Sequence, residues 1–148
     1  MNIIIIGTST FAINAAFTFQ QLGYKIVGFI NLTVLQRPDN CADIESFSSA
    51  NNIPYYEVDD INAIESIELL THLSPDYLFV SWPKLLKEAV ISIAGYGCIG
   101  THPTLLPANR GRHPLHWSIT QGLKNSALSF FILEAGVDSG RLLHQLNF

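Results

Sequence analysis

Two cysteines, Cys41 and Cys98, are all the sequence holds, and they sit far apart in no CxxC or Cys/His pattern. Neither a disulfide framework nor a structural zinc site is suggested by that spacing, and a reducing compartment is expected. Charge is also scarce: 8 Lys+Arg against 12 Asp+Glu give a formal net charge of -4, with only 14% charged residues. An acidic chain of this kind offers no general field for a phosphate backbone, so non-specific nucleic-acid binding is not expected. No apolar run approaches the roughly 18 to 20 residues that span a bilayer, and no cationic segment precedes the apolar start MNIIIIG. A cytoplasmic protein with no membrane partner is the expectation. With 48% hydrophobic residues the chain has ample apolar surface for a core and too little polarity for disorder. Its 148 residues read as one domain, 1–148, without repeat or linker.

Ile3 to Ile6 form a β-branched run that ends at Gly7, and a TST turn leads to apolar positions Phe11, Ala15, Phe19 and Leu22, one face of a helix. Gly23 closes that helix, and Lys25 to Ile30 is a second strand of the type buried on both faces of a parallel sheet. Residues 31–40 read as a loop and Ala42 to Asn51 as a weak helix. The segment IPYYEV reads as a strand, Asn62 to Leu73 as a helix, and DYLFVSW, 76–82, as a strongly strand-like run. Lys84 to Ala94 predicts a helix, Cys98 to His102 a strand, Pro114 to Gln121 a helix with Pro in its first turn, and Ala127 to Leu133 a strand. The alternation predicts an α/β fold with a doubly wound, mostly parallel sheet. Ligands of such sheets sit outside the carboxyl ends of the strands, in the loops after residues 6, 30, 82 and 102.

Several residues in those loops have both a chemical and an ordinary reading. Thr8, Ser9 and Thr10 open the first helix, where free N–H groups and hydroxyls hold a phosphate or carboxylate, or where Ser9 or Thr10 simply caps the helix. GxGxxG is absent, which disfavours a dinucleotide site. The segment CIGTHPTLLPANRGRHP, 98–114, is stiff with proline and rich in histidine and arginine. His102 there is a proton carrier or hydrogen-bond donor, or a histidine that satisfies loop carbonyls. Arg110 and Arg112 clamp an anion or stand solvated. In EAGVDSGRLLHQ, 134–145, Asp138 orients a histidine or forms a local Asx turn. His113, His116 and His144 show no ligand spacing, so no metal is expected. Trp117, Phe11, Phe19, Phe130 and Phe131 read as core packing.

Taken together, THPTLLPANRGRHPLHWSI and EAGVDSGRLLHQ resemble the formyltransferase family, whose members use 10-formyltetrahydrofolate. The spacing of 36 residues between His102 and Asp138 agrees with the family, GTSTFA is similar to the opening of its methionyl-tRNA and sugar branches, and SWPKLLKEAV is similar to its folate-side loop. The resemblance implies a Rossmann-like fold with His102 and Asp138 catalytic. It implies folate binding by Trp82, Pro83, Lys84, Leu85 and Leu86, and substrate binding by Thr8, Ser9, Thr10 and Arg110. The family's catalytic Asn stands two residues before the His, where this chain has Gly100; Thr101 and Thr104 are the candidate substitute donors.

The implied reaction moves a formyl group from 10-formyltetrahydrofolate to the amine of a small molecule, such as a nucleotide-linked amino sugar. Formyltetrahydrofolate hydrolysis and a non-catalytic folate-binding or subunit module are the alternatives, the latter because of Gly100. Methionyl-tRNA is disfavoured by the charge and by the missing C-terminal barrel of that branch, and glycinamide ribonucleotide by the first loop. Family domains continue past the DxG segment, so the fold is expected to be short at its C-terminal end, which a homo-oligomer or a partner chain would cover.

Overall fold

The computed structural model describes residues 1–148, which form two compact units, Met1–Cys98 and Ile99–Phe148. In the first unit β1 (Asn2–Gly7), α1 (Thr10–Gln21), β2 (Lys25–Leu32), α2 (Ile44–Ala50), β3 (Tyr55–Val58), α3 (Ile64–Leu73), β4 (Tyr77–Ser81) and α4 (Glu88–Ile91) follow one another. Their strands are parallel in the order β3-β2-β1-β4, as helical crossovers between strands require. β1 lies between β2 and β4, which is why Ile3 to Ile6 are buried and why an unbroken apolar run suits it.

After β1 the chain moves outward to β2 and β3, then returns to the other side of β1 as β4. The strand order therefore reverses between β1 and β4, where Gly7 pairs with Ser81. Crevices at such switch points, outside the carboxyl ends of the strands, are where open α/β sheets take their ligands. Gly7 is dictated by packing: a Cβ there would lie 2.3 Å from the Cβ of Ala12, so only glycine lets α1 start so close to the strand. Ala12 and Ala16 are fully buried, and the rings of Phe11 and Phe19 lie against Phe79, at 6.1 and 5.5 Å between centroids. The packing expected of these two phenylalanines is what the structure has.

Three expected elements are revised. β2 runs two residues further than its hydrophobic run because Asn31 and Leu32 pair with Glu57 and Val58, so the following loop starts later. The strand expected from Ile53 begins only at Tyr55, as Pro54 has no N–H to give a ladder, although its carbonyl accepts from Phe29 N. The helix expected over Lys84 to Ala94 shrinks to α4. Asn62 Nδ2 donates to the Leu85 carbonyl at 3.0 Å, and Lys87 N donates to Asn62 Oδ1 at 2.7 Å. Those bonds hold the start of the segment in an irregular conformation. Asp43 caps α2 by accepting from Ser46, and that hydrogen bond keeps its carboxyl below the usual range.

The second unit takes up most of β5 (Gly97–His102), then α5 (Pro114–Thr120), β6 (Ala127–Ile132) and β7 (Leu142–Asn147). β5 and β7 both pair antiparallel with β6. Three of the strand pairings within the units are parallel and two antiparallel, in keeping with a mostly parallel α/β architecture. β7 had no counterpart in the sequence expectation, because LLHQLN has neither a buried apolar run nor a polar face and is exposed at nearly every position. Trp117, expected in the core, is 52% exposed: Ser118 is the buried residue of α5, which turns the ring outward. Phe131 is buried as expected. No helix is long and apolar enough to cross a membrane.

Candidate active site

Alternation along β5 decides which of its side chains share a surface. Cys98, Gly100 and His102 take the buried face, and Ile99 and Thr101 take the other. Burial pushes the Cys98 thiol up to about 12, so it is no nucleophile near neutral pH. His102, at the carboxyl end of the strand, is 6% exposed and both of its ring nitrogens are engaged. Nδ1 lies 3.5 Å from Oδ2 of Asp138, and Nε2 lies 2.9 Å from the carbonyl oxygen of Asn109. A carbonyl only accepts, so the proton of that bond sits on Nε2. A second proton on Nδ1 would face a carboxylate.

Asp138 reaches His102 from the β6–β7 connection. Of the two readings of Asp138, the local Asx turn is not the one its side chain makes: Oδ2 accepts from Gly111 N at 2.8 Å, far along the sequence. One carboxylate oxygen thus meets both the imidazole and the loop that follows β5. Asp138 itself is in the left-handed region at φ 46, as are Asn109 at 53 and His113 at 57, so the segments around the pair are turned tightly. The return of the chain after Asp138 depends on Gly140, where a Cβ would lie 1.7 Å from the Ile132 carbonyl oxygen. Gly140→Ala is expected to lower stability by on the order of 3 kcal/mol, read from urea unfolding; a change within experimental error would show that this turn yields easily.

The two candidate substitute donors do not fit the role. Thr101 lies on the face of β5 opposite His102. Thr104 is buried, and its hydroxyl donates to the Ala108 carbonyl at 2.9 Å, which leaves no proton for a ligand. The Gly100 position is also not empty space: a Cβ built there would stand 2.9 Å from Cγ and Cδ2 of Leu133. Leu133 covers the place where a side chain at 100 would project. Arg110 and Arg112 are exposed, and neither takes part in an ion pair.

The other predicted residues belong to the first unit. Thr8, Ser9 and Thr10 follow β1, and Trp82 to Leu86 follow β4, so the Gly7–Ser81 pairing brings the two loops together at the switch point. Ser9 stands at the N-cap position in extended backbone, but its side chain makes no capping bond; its carbonyl accepts from Ala12 N and Ile13 N. Thr8 is buried and Thr10 exposed. Lys84 Nζ donates to Gln36 Oε1 at 3.0 Å, Leu85 is exposed, and Leu86 is buried. Nε1 of Trp82 is buried with no hydrogen-bond partner, an unusual state for an indole N–H. Asn62, which braces this loop, was missed by the sequence reading because an amide in a loop carries no motif.

A family model described as formyl transferase matches residues 1–148. The chain belongs to the formyl transferase family. Members of this family use 10-formyltetrahydrofolate as formyl donor. The methionyl-tRNA formyltransferase of Chlorobium chlorochromatii is 30% identical over 152 residues, which covers 98% of this chain and 48% of that protein. The chain thus spans about half the length of the curated relatives it matches.

The crystal structure of phosphoribosylglycinamide formyltransferase from Bacillus halodurans superposes with a TM-score of 0.83 at 18% identity, covering 100% of this chain and 79% of that one. A formyltetrahydrofolate deformylase from Pseudomonas syringae pv. tomato gives 0.80 at 17% identity, covering 99% and 50%. These two likenesses establish the Rossmann-like formyltransferase fold, as the resemblance read from the sequence implied.

Proposed function

We propose that this chain moves a formyl group from 10-formyltetrahydrofolate to a primary amine, with His102 and Asp138 as its catalytic pair. The observation that carries the reading is the buried contact of His102 with Asp138 in a chain of this family. Bound 10-formyltetrahydrofolate supplies a carbonyl carbon already activated toward an amine. His102 exchanges the Asn109 carbonyl for the formyl oxygen, donating from Nε2 as negative charge builds there. Asp138, 3.5 Å from Nδ1, fixes the orientation of the ring and offsets positive charge that develops on it. A new C–N bond forms to the acceptor, the bond from the formyl carbon to the folate nitrogen breaks, and the amine's proton passes to that nitrogen.

Trp82, Pro83, Lys84, Leu85 and Leu86 are assigned to the folate, and Thr8, Ser9, Thr10 and Arg110 to the acceptor. The partnerless N–H of Trp82 supports the first assignment, since a heterocycle with ring nitrogens and a carbonyl would give it an acceptor. Trp82→Phe is expected to weaken binding of a 10-formyltetrahydrofolate analogue by about 1 kcal/mol, roughly fivefold, while the melting temperature holds or rises. Unchanged affinity would remove the indole from the site.

The acceptor is assigned as a small-molecule amine, which the net charge of -4 favours. None of the three relatives reported above is named for a nucleotide-linked amino sugar, so the amino sugar is not carried forward. A second acceptor, methionyl-tRNA, is favoured by the 30% identity to a methionyl-tRNA formyltransferase. Tetrahydrofolate release measured with glycinamide ribonucleotide, free amines, methionyl-tRNA and water alone separates these. Release with an amine supports the proposal, release with methionyl-tRNA only replaces its acceptor, and release with water alone replaces transfer by hydrolysis.

A further inference from the structure

The loop after β5 provides both partners that fix the His102–Asp138 pair, the Asn109 carbonyl and the Gly111 N–H, so whatever holds this loop also sets the imidazole. In the ladders of the second unit His102 pairs with Ser129 on β6, and Ser129 pairs with Gln145 on β7, so the three side chains belong to one rung across β5, β6 and β7. Their polar groups are linked. Gln145 Nε2 donates to the Leu106 carbonyl at 3.0 Å and to Oγ of Ser129 at 2.9 Å. Ser129 Oγ donates to the Thr104 carbonyl at 2.6 Å and also receives Leu106 N at 3.4 Å.

An amide nitrogen only donates, so Gln145 leaves the Ser129 hydroxyl a single use for its proton, the Thr104 carbonyl. Thr104 in turn donates from Oγ1 to the Ala108 carbonyl, next to the Asn109 carbonyl that receives His102. Ser129 is fully buried and Thr104 is 1% exposed, so these bonds have no water to replace them.

We propose that Gln145 is a positioning residue for His102: through Ser129 and Thr104 it fixes the loop whose Asn109 carbonyl holds Nε2. Its catalytic significance rests on the formyl-transfer reading, but its effect on the ring does not. Gln145→Leu keeps the size of the side chain and removes both donated bonds. Gln145→Glu keeps its shape and, when ionised, turns an acceptor toward the Leu106 carbonyl.

The test follows the Nε2–H resonance of His102 by NMR in the full chain, assigned by its loss in His102→Gln, alongside tetrahydrofolate release and analogue affinity. Both Gln145 variants are expected to raise the exchange rate of that proton and lower kcat by about tenfold, with the dissociation constant of the analogue unchanged. Should Gln145→Leu fail to fold, Gln145→Glu carries the test. A folded variant with the His102 proton as protected as in the wild type overturns the proposal. If the ring proton responds but the wild-type chain releases no tetrahydrofolate, the positioning role stands and the formyl-transfer reading falls.

Discussion

His102→Ala is expected to lower tetrahydrofolate release by about 100- to 1000-fold, the usual consequence of losing one donor to a developing oxyanion. Nε2 carries the proton and meets a backbone carbonyl that a substrate oxygen can replace, and Nδ1 faces the Asp138 carboxylate. Neither candidate substitute offers an uncommitted donor on that face, as Thr101 points to the other side of β5 and the Thr104 proton belongs to the Ala108 carbonyl. The fold should survive, because Asp138 keeps its bond from Gly111 N and the cavity lies at the end of a strand. Circular dichroism checks the fold and a stopped assay the turnover. Turnover within twofold of wild type would end the catalytic assignment of His102.

Gly100 gives the second large effect, and here the structure alters the expectation a sequence would give. With an amide donor missing from position 100, Gly100→Asn alone should raise turnover. The backbone allows it, since Gly100 is not among the glycines of positive φ. Leu133 does not: a Cβ at position 100 would already press on its Cγ and Cδ2 at 2.9 Å. The asparagine would be forced away from the formyl oxygen or would displace Leu133. Gly100→Asn is therefore expected to gain little, while Gly100→Asn with Leu133→Ala, which clears that volume, should raise turnover by about tenfold or more. Equal gains with and without Leu133→Ala would show that Leu133 swings aside without cost. No gain in either would show that the centre makes its oxyanion contact elsewhere.

How far these features were legible in the sequence depends on what kind of signal each leaves. Ile3 to Ile6 announced the first strand, and the family resemblance around His102 and Asp138 implied that the two residues act together. Such features are carried by side-chain type at a position. Backbone groups carry no such mark, and the partners that fix the pair are the Asn109 carbonyl and the Gly111 N–H. Leu133 looked like the last residue of a strand, and only the structure lays it over Gly100. Gln145 and Ser129 belong to no motif, and only the pairing of β7 with β6 joins them. α4 was overread because a periodic apolar pattern does not reveal that Asn62 holds the preceding loop open. Trp117 was misplaced because size and apolarity favour burial only where the helix turns that face inward.

Formyl transfer at His102 is tested by calorimetric titration of the full chain with a 10-formyltetrahydrofolate analogue, followed on the same sample by tetrahydrofolate release from the true donor with the acceptor panel. Saturable binding is expected, with release that depends on an added amine and falls about 100- to 1000-fold in His102→Ala. Absence of binding, or release that is indifferent to both the amine and His102, would contradict formyl transfer at His102.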